Sequence, residues 1–368
     1  MKKILIFSYA YEPLIGGAEI AVKELTERLS TGFSFDMITR RFSRAHQRAE
    51  KIGAVSVHRV GGGKFLFPFL AALKAIALHR KDKYDCVWAI MANRAGFAAL
   101  FFKILHPRVP FVLTLQEGDP IPDIMRKVGL LYPFFKMIFT RANAVTAIST
   151  YLAEWARKMG ARTPLVVPNG VDSKKFQDTN SKTQTKEKTI ITVSRLVEKN
   201  GVVDLIEAMR YLPTHFKLLI VGSGHLEESL KLRVKSEELE NRITFVGEVP
   251  NIELPQYLWT SDIFIRPSLS EGMGISFIEA MAAGLPVIAT PVGGIPDFLK
   301  DPSTESGQAT GLFCKVNNPK SIAEAVLLLD DQPALREAII DAALRMVKEK
   351  YDWDIIAKKM REEIFNQL

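Results

Sequence analysis

Short apolar runs alternate with segments of helical periodicity along nearly the whole chain. That alternation restricts the fold to parallel sheets flanked by helices. In the first half the strand-like runs are 3–9, 34–39, 55–60, 86–91, 111–115, 144–149 and 165–168, with helical spacing over Ala18–Leu29 and Ser149–Lys158. A second series begins at 189–196 and continues through 216–224, 243–249, 263–268 and 286–290. Between the two lies a polar stretch, 172–188, with one aromatic and no aliphatic residue, which reads as a linker or exposed loop. At 368 residues the chain is long enough for two cores. The expected class is α/β, with two Rossmann-like doubly wound domains facing across a cleft. Residues 1–170 form the first domain. Residues 171–348 form the second, and 349–368 a terminal helix packing back on the first.

The first apolar run stops at Tyr9–Pro13 and is too short for a signal core, so it reads as a buried strand. Lysines interrupt the longest apolar stretches, and no membrane-spanning helix is expected. Two distant cysteines, Cys86 and Cys314, give no disulfide framework and fit a cytoplasmic protein. Residues 1–170 hold 25 Lys and Arg against 12 Asp and Glu, whereas the remainder holds 24 against 29. The basic first half, with 64–83 joining lysines to aromatic residues, suits peripheral contact with an anionic membrane. The plainer reading of 64–83 is a buried helix followed by solvated charge. No nucleic-acid partner is expected.

The segment 268–286 has the strongest chemistry. A strand end leads through Gly272 and Gly274 into a helix from about Ile275 to Ala283. A helix start offers unpaired amides and a positive dipole end, suited to a diphosphate. Glu271 precedes the helix and Glu279 lies a turn inside it, both placed to accept from sugar hydroxyls. Arg195 and Lys199 follow a strand, where cations would stabilise a departing diphosphate. Gly16 and Gly17 form a strand–loop–helix turn without the Lys-Ser/Thr of a triphosphate loop. Gln116 and Glu117 end another strand, where their side chains could hydrogen-bond a ligand hydroxyl. The six histidines show no ligand spacing, so neither metal nor cofactor is expected. The Asp-x-Asp at 352–354 reads as a helix start rather than a metal motif.

The Glu-x7-Glu within EGMGISFIEAMAAGLPVIAT, followed by PVGGIPDFL, resembles the donor signature of the GT-B-fold retaining glycosyltransferases of family 4. GGAE near the N-terminus, PNGVD (168–172), SRLVEKNG (194–201), VGSG (221–224) and FVGEV (245–249) extend the likeness over nearly the whole chain. The resemblance implies that Glu279 holds the ribose hydroxyls and Glu271 the donor sugar. It implies that Gly272, Met273, Gly274 and Ile275 lie near sugar and phosphates. It also puts Gly16, Gly17, Asn200, Gly222 and Val249 in the donor site, and implies retention without a metal ion. Two positions depart from the family pattern. Asn200 stands where the family lysine usually does, one residue after Lys199, and Gln116 stands where many members have histidine. The expected activity is transfer of a sugar, of hexosyl type, from a nucleotide-sugar to a glycan or lipid-linked acceptor. The alternatives are an epimerase- or phosphorylase-like enzyme, or a nucleotide-sugar-binding subunit of weak activity. A nicotinamide dehydrogenase is disfavoured, because no full GxGxxG with a ribose acid is present.

Overall fold

The computed structural model describes residues 1–14, 16–177, 187–303 and 308–368. Its contacts divide it into two compact units, Met1–Asn169 with Trp353–Leu368, and Gly170–Asp352. Each unit is a Rossmann-like α/β layer structure.

In unit 1 the strands are β1 (Lys2–Phe7), β2 (Phe33–Arg40), β3 (Ala49–Ile52), β4 (Val55–Val60), β5 (Cys86–Ile90), β6 (Phe111–Leu115), β7 (Ala144–Ala147) and β8 (Leu165–Val166). They form one sheet in the order β3-β4-β2-β1-β5-β6-β7-β8. Every pairing is parallel except β3–β4. β5 and β6 are buried along their whole length, as strands covered by helices on both faces must be. A polar rung crosses this core. Trp88 Nε1 donates to Thr114 Oγ1 at 2.7 Å, and Thr114 and Thr146 share a hydrogen bond of 2.7 Å. The helices are α1 (Gly17–Leu29), α2 (Gly63–Lys81), α3 (Arg94–Leu105), α4 (Ile121–Val128), α5 (Tyr132–Arg141) and α6 (Thr150–Lys158).

In unit 2 the helices are α7 (Ser173–Phe176), α8 (Val202–Ala208), α9 (Glu227–Ser236), α10 (Leu254–Trp259), α11 (Ile275–Ala282), α12 (Pro319–Asp331) and α13 (Pro333–Met346). The strands are β9 (Lys188–Val193), β10 (Phe216–Val221), β11 (Ile243–Gly247), β12 (Ile263–Arg266), β13 (Val287–Ala289) and β14 (Leu312–Phe313). Their order is β11-β10-β9-β12-β13-β14, all parallel. The last helix, α14 (Trp353–Met360), belongs to unit 1, where Phe365 beyond it packs edge-on to Trp88. The second change of unit thus comes at Trp353, not at 349. Residues 347–352 stay with unit 2, where Val171 N donates to Tyr351 O at 2.7 Å.

Two further sequence expectations, for 172–188 and for 64–83, need correction. The polar stretch at 172–188 is not all loop. Asp172 caps α7 through the amides of Lys174 and Lys175, and Phe176 is buried. Residues 178–186 of that stretch lie outside the described residues. The helix over 64–83 is buried on one face only. Phe67, Ala71 and Ala75 are inside, while Phe65, Leu66, Phe69 and Leu73 face solvent. The Asp-x-Asp is structural: Asp352 accepts from Ser173 Oγ at 2.6 Å and Asp354 from Arg28 Nε at 2.8 Å. Cys86 and Cys314 are buried and unpaired. Among the described residues, no helix is long and apolar enough to cross a membrane.

Candidate functional site

The sheet of unit 2 winds outward from β9 to β11, then restarts on the other side at β12. Ligands of doubly wound sheets bind outside the carboxyl ends of the strands at such a reversal. Two loops meet there, 194–201 after β9 and 267–274 after β12. Leu269 N donates to Lys199 O at 2.7 Å and ties one loop to the other.

Arg266, the last residue of β12, is the hub. It is a cation in an otherwise apolar strand, and it is buried. Its Nε donates to Ser268 Oγ at 3.1 Å and its Nη1 to Ser276 Oγ at 2.9 Å; its Nη2 pairs with Glu271 Oε2. The guanidinium lies 4.4 Å from the Phe277 ring centre. Burial pulls its pKa below the ordinary value, and the Glu271 charge pushes back. The charges of Arg195 and Glu279 act on the same guanidinium, so residues from three separate segments share one electrostatic neighbourhood.

Glu271 is thereby fixed. One carboxylate oxygen meets Arg266 and the other accepts from Gly272 N at 3.0 Å. Gly272 and Met273 are buried, and Gly274 caps α11 in the left-handed region. No side chain caps α11, so its first amides, beginning at Ile275, have no side-chain acceptor. Glu279 is buried within α11. Its Oε1 accepts from Asn251 Nδ2 at 3.0 Å, and Asn251 Oδ1 accepts from Lys175 Nζ at 2.6 Å. Burial pushes the Glu279 carboxyl up to about 6, against the opposing pull of Asn251, Lys175 and Arg266.

In the 194–201 loop Arg195 is exposed and Lys199 half-buried. Asn200 is buried, and its amide donates to Arg195 O at 2.7 Å. Its side chain thus closes the loop that presents Arg195. Gly222 follows β10 with φ of 127°, and a Cβ there would fall 2.0 Å from Ser194 O. Only glycine lets the two loops approach so closely. Val249 follows β11 and is half-buried. Gly293 supports the site from behind: its φ is +57°, a Cβ would lie 1.8 Å from Glu271 O, and Gly294 N donates to that carbonyl at 3.2 Å.

The remaining sequence-predicted residues are in unit 1. Gly16 and Gly17 are exposed at the start of α1, and Gly16 N donates to Glu19 Oε2 at 2.9 Å. Gln116 and Glu117 are buried after β6. Gln116 Oε1 accepts from Asn169 Nδ2 at 3.2 Å. Glu117 accepts from Ala92 N at 2.5 Å and Gln116 N at 2.9 Å, and burial raises its pKa to about 7. Among the described residues, no three His, Cys, Asp or Glu side chains cluster as metal ligands would.

Sequence reasoning missed Arg266, Ser276, Asn251, Lys175 and Gly293. A signal for Arg266 was present, since a cation inside an apolar central strand needs a buried partner. Asn251 and Lys175 had none, for they reach Glu279 and Asn251 across 28 and 76 residues.

Two family models cover the chain in succession. Glycosyltransferase Family 4 matches residues 15–175, and Glycosyl transferases group 1 matches 173–346. The chain belongs to the family 4, group 1 glycosyltransferases. It is 29% identical to an uncharacterized glycosyltransferase of Methanocaldococcus jannaschii, over 97% of this chain and 96% of that one. It is 30% identical to a GDP-mannose-dependent monoacylated alpha-(1-6)-phosphatidylinositol monomannoside mannosyltransferase of Corynebacterium glutamicum, over 61% of this chain and 62% of that one. The fold matches Anabaena HepE, solved in complex with UDP-glucose, with a TM-score of 0.82 over the whole of both chains at 18% identity. The chain is a glycosyltransferase with two Rossmann-like units of the GT-B type.

Proposed function

We propose that this glycosyltransferase moves a hexosyl group from a nucleotide-sugar to a hydroxyl of a glycan or lipid-linked acceptor, with retention and without a metal ion. The observation that carries the reading is the buried Glu279 carboxylate on a helix whose start no side chain caps, beside the Arg266–Glu271 pair. Glu279 receives the ribose hydroxyls, with Asn251 and Lys175 holding its carboxylate in place. The diphosphate lies on the first amides of α11, with Arg195 and Lys199 as counter-charges. Glu271, locked by Arg266, meets the donor sugar. As the bond from anomeric carbon to phosphate oxygen breaks, the electron pair goes to the diphosphate. Cations and amides stabilise that charge. The acceptor oxygen bonds to the anomeric carbon, and its proton passes to the departing diphosphate. Unit 1 supplies the acceptor side. The UDP-glucose complex of HepE and the GDP-mannose dependence of the Corynebacterium enzyme support a nucleotide-sugar donor.

The lipid arm of this reading draws on exposed apolar residues set among lysines and arginines in unit 1. Leu130, Leu131 and Phe134 stand near Arg126, Lys127 and Lys136 in the chain, and Phe65, Phe69 and Leu73 near Lys64 and Lys74. Incubation with UDP-, GDP- and ADP-sugars and a panel of acceptors, followed by product mass and anomeric NMR, tests the function. One donor should give an added hexose of unchanged configuration, with the metal chelator EDTA present. Release of nucleotide without acceptor adduct for every donor, or an inverted product, contradicts it.

A further inference from the structure

Unit 1 has a winding reversal of its own, between β1 and β5. Three residues from different segments meet at those strand ends. Tyr9 follows β1, Arg40 ends β2, and Arg94 opens α3 after β5. Arg40 Nη1 donates to the Tyr9 hydroxyl at 2.6 Å, and its guanidinium carbon lies 4.5 Å from the Phe42 ring centre and 5.6 Å from that of Tyr9. The Arg94 guanidinium carbon is 5.2 Å from the same Tyr9 centre. Tyr9 is held firmly. Phe67 meets it edge-on at 5.2 Å, and Thr39 Oγ1 and Arg40 N both donate to its carbonyl at 3.3 Å.

Two guanidinium groups therefore converge on one ring. Among the described residues, neither has a carboxylate partner, although ion pairs tie many other cations in the chain. The Arg40 Nε is buried and makes no hydrogen bond. A buried donor left unmade is costly, and a cation–π contact at an exposed site offsets only part of that cost. The uncapped start of α2 adjoins the cluster. Val60 O, at the end of β4, accepts from Arg41 N at 2.8 Å, and Phe67 of α2 packs on Tyr9.

The geometry points to an oxyanion site: we propose that Arg40 and Arg94 bind a phosphate or carboxylate carried by the acceptor, with Tyr9 as the platform between them. A planar guanidinium recognises either group through paired N–H donors. The proposal rests on the reading of the chain as a transferase to a sugar or lipid-linked hydroxyl, and it narrows that acceptor to a charged one.

The test uses calorimetry on the full chain, with glucose 1-phosphate, glucuronate and glucose as probes. The protein is first saturated with whichever of UDP, GDP or ADP raises its melting temperature, so that the donor site is blocked. At least one charged probe should bind ten-fold or more tighter than glucose, and its preference separates a phosphate from a carboxylate acceptor. Arg94→Gln and Arg40→Gln should each weaken the charged probe at least ten-fold, leave glucose unchanged and leave nucleotide affinity intact; Arg94→Lys should restore part of the loss. If Arg40→Gln does not fold, Arg94→Gln carries the test. Equal binding of charged and neutral probes, no binding of either charged probe, or an Arg94→Gln protein that binds it like wild type overturns the proposal. Absence of a nucleotide effect bears on the donor reading alone, since the probe comparison can then be run without nucleotide.

Discussion

The winding reversals of the two units have the same backbone plan and opposite treatment of charge. At the β9/β12 reversal, the buried Arg266 has every terminal nitrogen bonded, with Glu271 and two serines as partners. The buried carboxylate there, Glu279, reaches a lysine through Asn251. At the β1/β5 reversal, Arg40 and Arg94 face an aromatic ring with no carboxylate partner among the described residues, and Glu117, two residues beyond the nearby strand β6, has its carboxylate held by backbone amides instead of a cation. A parallel sheet thus provides a place for a ligand but not its polarity. In unit 2 the buried charges are matched and fix a geometry. In unit 1 positive charge is left over.

The largest effect that would break this contrast is expected from Arg266→Met. Removing one partner of a buried pair strands the other, at a cost of about 3–5 kcal/mol. Denaturant unfolding should show that loss, with donor turnover abolished; a stable, active variant would mean that the unit 2 network does not set the site. Glu279→Gln comes next. A hydrogen bond to a charged acceptor is worth about 1.5–3 kcal/mol, so donor affinity should fall about 10- to 100-fold by calorimetry. Because the wild-type carboxyl titrates near 6, its donor affinity should also decline as pH falls below about 6. The variant should lack that decline.

Glu117→Gln probes unit 1. A glutamine can accept from one amide but turns its own N–H₂ toward the other, costing about 1–3 kcal/mol. The linkage has a definite sign. With a folded pKa raised to about 7, the native state holds more protons than the unfolded state between the unfolded value near 4.5 and about 7. Stability contributed by protonated Glu117 is therefore present at low pH and lost as pH rises through that window. Thermal melts from pH 4.5 to 7.5 should show this slope in wild type and a flatter one in the variant. The smallest effect is expected from Leu130→Ser, at a residue 99% exposed. Its stability should stay within about 0.5 kcal/mol of wild type. Reduced co-sedimentation with anionic vesicles would support the lipid arm, and unchanged sedimentation would remove it.

The alternation of apolar runs made both doubly wound sheets legible, since buried parallel strands must be apolar along their length. Glu271, Glu279 and the glycines between them were legible from local spacing on one strand–loop–helix unit. What that spacing could not reveal was long-range. Nothing near Lys175 or Asn251 in sequence shows that they close on Glu279. The edge strand β3, with its polar AEKI sequence, lacks the apolar signal because it packs little. The half-exposed face of α2 was hidden for the reverse reason: apolar residues lie all around it. Asn200 shows the limit of motif reading. Placed at a family lysine position, it seals its own loop by bonding Arg195 O.

The central claim is that a nucleoside diphosphate lies on the first amides of α11 with its ribose on Glu279. Crystals grown with UDP, GDP or ADP test it directly. Diphosphate oxygens should lie within hydrogen-bond distance of the Ile275 and Ser276 amides, with ribose hydroxyls on the Glu279 carboxylate. A bound nucleotide with its phosphates elsewhere in the chain, and Glu279 still bonded only to Asn251, would contradict it.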